Sequence, residues 1–68
     1  MKPFELRLAE LHSRNSNHLR NLRAFAADAD RIAAISREER QLIHEQIEHM
    51  SRLDAVLEQR MKLHNIPV

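Results

Sequence analysis

Apolar residues recur along this chain with the spacing of helix faces, and sustained alternation is absent. In the first half, Phe4, Leu8, Leu11, Leu22, Phe25 and Ala29 stand 4, 3, 11, 3 and 4 positions apart. Asn15 and His18 fill the long gap in the same rhythm. One seam therefore runs through Phe4, Leu8, Leu11, Asn15, His18, Leu22, Phe25, Ala29 and Ile32, with Leu19 and Ala26 widening it on one side. Pro3 stands where a helix tolerates proline, in the first turn. The pattern predicts a helix over about 3–29. A second set, Leu42, Ile43, Ile47, Met50, Leu53, Val56, Leu57, Met61 and Leu63, predicts a helix over about 37–64. It covers an arc of roughly 200°, wider than one partner helix hides.

The punctuation supports two helices. Ser36-Arg37-Glu38-Glu39 is a capping box, with Ser36 as N-cap and Glu39 reaching back. Glu38 and Glu39 suit the positive end of the helix dipole. Pro67 stops the second helix, with Asn65 at its C-terminal end. The connection over about 30–36 contains neither Gly nor Pro, and Asp28 or Asp30 suits the cap of a short intermediate turn. One continuous helix is the alternative. The capping box and the shift in apolar phase both fall here and favour a hairpin.

Composition changes this picture in one respect. With 68 residues the chain is one domain over 1–68, and a core of this size supplies only ~3–5 kcal/mol. There is no Cys, so neither a disulfide nor a Cys-based zinc site staples it. The remaining staple is a second copy docked on the over-wide second helix. The fold class expected is all-α: a two-helix antiparallel hairpin assembling into a symmetric helical bundle, as homodimer or higher oligomer. The expected oligomer interface is Leu42, Ile43, Met50, Leu53, Val56 and Leu57. Absence of Gly excludes the usual phosphate-cradling loops. No apolar run reaches the ~18 residues of a membrane span. Nothing in the N-terminal residues resembles an export signal, so the expected location is the cytoplasm.

The segment Ser13–Arg23 carries the candidate chemistry. Asn15 and His18 sit on the seam, and buried polar groups need partners. One reading is a register-fixing polar layer, as a seam Asn forms in coiled coils. The other is a ligand- or partner-binding pocket built from Arg14, Asn15, His18, Arg20 and Arg23. Arg forks match phosphate or carboxylate oxygens, while Asn15 and His18 supply directional hydrogen bonds. A third outcome is a hairpin splayed here, leaving these groups to water.

Five His raise a metal question. His44 and His49 diverge by roughly 140° around a helix, and His12 and His18 by roughly 120°. Neither pair chelates from one face, the di-iron Glu-x-x-His motif is missing, and no metal or other cofactor is expected. No nucleophile elbow or triad pattern occurs, so the chain is read as no enzyme. Asp54 is a buried-carboxylate candidate, expected to pair with an Arg such as Arg23. Arg7, Arg14, Asn17 and Asn21 share one side of the first helix, which suits RNA. A net charge of +1 and a shortage of stacking aromatics weigh against it. A Rop-like dimeric RNA-binding hairpin, similar in size and architecture alone, is the alternative.

Phe4-x-x-Arg7-Leu8, Leu19-x-x-Leu22-x-x-Phe25, Glu39-Arg40-x-Leu42-Ile43-x-x-Gln46-x-x-x-Met50 and Leu53-x-x-Val56-Leu57-x-x-Arg60 together carry a resemblance. They resemble a family of short phage-encoded helical proteins catalogued from crAss-like phages. His18, Arg20 and Glu48-His49-Met50 through Arg60 are similar to the hairpin domain of phage proteins that sequester cyclic-nucleotide immune signals. Ser51-Arg52 stand where those proteins carry a base-stacking aromatic. The resemblances imply a phage origin and a counter-defence or host-takeover role. The chain is expected to occlude a host protein or sequester a small anionic nucleotide signal.

Overall fold

The computed structural model describes residues 2–68. It is all-helical among those residues: α1 (Pro3–Ala27), a short α2 (Ala29–Ala33) and α3 (Arg37–Leu63). α1 and α3 pack antiparallel along a rod 45 Å long and 15 Å across. The hairpin thus has three helices, and its first helix ends at Ala27.

Local chemistry sets each break. Pro3 opens α1, and the Glu5 carboxylate accepts the Lys2 backbone N–H at 3.2 Å. At the other end Asp28 leaves the helical region, with φ −84° and ψ 103°. Its side chain accepts from the N–H groups of Asp30 and Arg31 at 3.1 and 3.2 Å, satisfying donors that a new helix leaves orphaned. Arg31 returns to the Asp28 carboxylate at 3.4 Å and lies 6.0 Å from the Phe25 ring centroid. Ser36 then caps α3, its Oγ accepting the Glu39 N–H at 3.0 Å.

The end of α3 is closed by a left-handed residue, Asn65, at φ 57°. Ile66 N–H donates to the Met61 carbonyl at 2.8 Å and Asn65 N–H to that of Lys62 at 3.1 Å, a Schellman closure. It turns Ile66 back onto Met61. Leu8, Leu57, Met61 and Ile66 form the apolar core at this end, each no more than 5% exposed. Phe4 meets the His64 ring edge-on, 5.0 Å between centroids.

The buried line on α1 corrects the expected seam. Leu8, Asn15 and Leu19 are buried, and His12, Leu22 and Ala26 are half-buried. These positions step 4-3-4-3-4 and face the matching line Ile43, Ile47, Met50, Asp54, Leu57 and Met61 on α3. Leu11 and His18 are exposed, and of the expected seam Phe4, Leu11, His18 and Phe25 form one shoulder of the groove between helices. Leu8, Asn15 and Leu22 lie on both lines, and the positions between them move by one residue, a rotation of about 50°, because the polar His12 takes the inward place that Leu11 claims on hydropathy alone.

The α3 residues expected between copies divide in the same way. Ile43 and Leu57 are 7% and 2% exposed, packed inside the single chain. Met50 is half-buried. Leu42, Leu53 and Val56 are 58%, 42% and 51% exposed and face outward.

Candidate functional site

The two sides of the interhelix groove differ. On the first, heptad spacing aligns Phe4, Leu11, His18 and Phe25 along α1 and Gln46, Leu53 and Arg60 along α3. This side opens into two concavities. The larger, about 300 Å³, is lined by His18, Asn21, Leu22, Phe25, Gln46 and Met50. Leu22 and Met50 give it an apolar floor. His18, Asn21 and Gln46 are exposed and carry hydrogen-bonding heads. The smaller, about 190 Å³, is lined by Phe4, Arg7, Leu8, Leu11 and Arg60.

On the second side, polar side chains bridge the helices directly. Asn15 is 8% exposed, and its Nδ2 donates to the Met50 carbonyl at 3.0 Å and to Asp54 Oδ1 at 3.3 Å. Ser16 Oγ donates to the same Oδ1 at 2.6 Å. His12 Nε2 lies 3.4 Å from Ser16 Oγ, 3.7 Å from Asp54 Oδ1 and 3.4 Å from Glu58 Oε1. Farther along, Arg23 donates to Ser51 Oγ at 3.2 Å. Asp54 therefore takes Asn15 and Ser16 as partners, in place of the Arg23 expected. No buried side-chain polar atom among the described residues is left unpartnered.

The five residues singled out from the sequence do not converge. Asn15 faces α3 and serves the polar bridge. His18 lines the larger concavity. Arg14 is exposed one helical turn from His18 on the same side. Arg23 lies on the bridged side. Arg20 is exposed and, at about 200° from His18 around the helix, points away from it.

His12, Ser16, Phe25 and Gln46 stand outside the binding set expected from the sequence, and Asn21 enters that expectation only through the RNA alternative. His12 belongs to a group of three, His12, Asp54 and Glu58, whose donor atoms lie within 4.8 Å of one another. The spacing of His residues within one helix carries no sign of this group, because its members come from two helices. Asp54 and Glu58, one turn apart with Asp54 on the apolar side of α3, were the available signal. For the larger concavity the signal was the strict seven-residue recurrence of Leu11, His18 and Phe25.

A family model described as Sequestin matches residues 2–63, and the chain belongs to that family. Neither a curated protein nor a solved structure matches it. No helix among the described residues is long and apolar enough to cross a membrane.

Proposed function

We propose that this member of the Sequestin family is a non-enzymatic binding protein that sequesters a small anionic nucleotide signal. The observation that carries the reading is the concavity of about 300 Å³ with an apolar floor and a polar rim. Phe25 is the aromatic residue lining the concavity, and it supplies from α1 the stacking partner for a base that Ser51-Arg52 do not. Asn21 and Gln46 offer paired donors and acceptors suited to a base edge. His18 adds a directional contact. Arg14, one turn away and exposed, suits a phosphate. The family's name is consistent with sequestering.

The same side of the rod suits a second copy. Leu11, Leu53 and Phe4 are 43%, 42% and 38% exposed there, and heptad geometry continues this face to Leu42 and Val56. Two hairpins docked about a two-fold axis form a four-helix bundle and cover the concavity. A nucleotide held there is withdrawn from any receptor. In a phage-infected cytoplasm this amounts to counter-defence, the role that the phage resemblances imply.

A melting panel tests the reading. Cyclic di- and trinucleotides are expected to raise the melting temperature, and His18→Ala and Arg14→Ala to remove the shift. No shift across the panel, with stoichiometric capture of one host protein in a pull-down, transfers the function to occlusion of that protein. Binding to RNA that weakens steeply with salt transfers it to the Rop-like alternative.

A further inference from the structure

We propose that His12, Asp54 and Glu58 form a divalent-cation site of zinc type that clips α1 to α3. His12 Nε2 stands 3.4 Å from Glu58 Oε1 and 3.7 Å from Asp54 Oδ1. Both separations exceed the usual ~2.7–3.2 Å of an N–H···O bond. They approach the distance between neighbouring ligands of a tetrahedral zinc ion, and with all three donor atoms within 4.8 Å of one another an ion needs only to draw the carboxylates inward. Bonds of about 2.0–2.1 Å at the tetrahedral angle place donor atoms about 3.3 Å apart. One imidazole and two carboxylates are a donor set that zinc accepts, and a water completes four-coordination.

The surroundings favour the assignment. Ser16 and Asn15 both donate to Asp54 Oδ1 and hold that carboxylate in place, the outer support that metal-binding carboxylates receive. The side chains of His12 and Asp54 are 14% and 20% exposed, and that of Glu58 39%. The group is therefore held firmly on the inside and open on one side, where a cation enters with its water. His12 comes from one helix and both carboxylates from the other. A bound ion thus closes the hairpin across its middle. That is the kind of staple a chain with no Cys and a small core lacks otherwise.

The experiment uses the full chain, dialysed against chelator and titrated with Zn²⁺. One equivalent per chain is expected, with the melting temperature rising by about 5 °C or more at 100-fold excess over the dissociation constant. Co²⁺ in place of Zn²⁺ should give the visible absorption of a four-coordinate site. Glu58→Gln is the deciding variant, because Glu58 has the most exposed side chain of the three and Gln keeps its size. It should lose uptake while keeping its helical signal, and His12→Gln should do the same if it folds. The double variant His44→Ala/His49→Ala should bind as the parent does. Absence of stoichiometric uptake overturns the site. So does uptake that survives Glu58→Gln but vanishes with His44 and His49. The outcome is independent of nucleotide binding, which is read with zinc absent.

Discussion

The two sides of one interhelix groove are built from different materials. The bridged side spends its polar groups on each other: Asn15, Ser16 and Arg23 on α1 reach Met50, Asp54 and Ser51 on α3. The open side leaves His18, Asn21 and Gln46 facing solvent around apolar walls. Hydrogen bonds between side chains fix register and spacing at little net gain each, about 0.5–1.5 kcal/mol. Unspent polar groups around an apolar floor instead remain available to a ligand. A hairpin with both sides bridged would be more rigid and would bind nothing. One with both sides open would have no unique register. The division lets a very small protein hold a shape and keep a binding face.

Substitutions can break that division, and Asp54→Ala should do so most strongly. It removes the acceptor shared by Asn15 and Ser16, leaving the buried Asn15 amide with the Met50 carbonyl alone and the Ser16 hydroxyl with only His12 beside it. A loss of about 2–3 kcal/mol is expected in chemical denaturation, with ligand contacts on the open side untouched. A loss under half a kcal/mol would mean that water replaces the carboxylate freely and that the bridge fixes nothing. Next is Leu53→Glu, which places a charge in the middle of the open face. The folded hairpin should survive. Self-association should weaken by about 1–2 kcal/mol, seen as a shift toward monomer in light scattering. A parent chain that is already monomeric, or a mass the variant leaves unchanged, overturns the pairing proposed for this face. Arg23→Ala should cost only about 0.5 kcal/mol, since its bond to Ser51 is exposed. The smallest stability effect belongs to His18→Ala, within about 0.5 kcal/mol in thermal melts, because His18 is exposed. Its effect on ligand affinity should be large, and that contrast within one variant separates a binding role from a structural one.

The helices were legible because their ends are written in single residues. Pro3, Ser36 and Asn65 each act through backbone chemistry that needs no knowledge of the partner helix. Asp28 was legible as a cap, and the structure adds the consequence that α1 stops there. The inward face of α1 was harder. Hydropathy favours Leu11 over His12 and has no way to know that Asp54 and Glu58 wait on the other helix to receive an imidazole. A rotation of about 50° follows, half of one residue's turn, and with it His18 moves from core to rim. The polar bridge depends on which α3 residue meets which α1 residue, and helix periodicity fixes direction around each axis but not the offset between axes. Asn15 was identified correctly as a buried polar group for a reason that survives this gap, since it lies on both the expected and the observed seam.

The apolar cluster of Leu8, Leu57, Met61 and Ile66 sits at the end of the rod farthest from the turn. A hairpin closes most cheaply from its turn, where the chain segment to be looped is shortest. Contacts near Leu22 and Ile43 are then expected to form early and the richest burial last. The consequence is kinetic. Residues beside the turn govern how fast the chain folds, whereas Leu57 and Met61 govern how long it stays folded. Shaving a methyl from either should quicken opening and leave closing almost unaltered, so the molecule's lifetime is tuned at one end and its birth rate at the other.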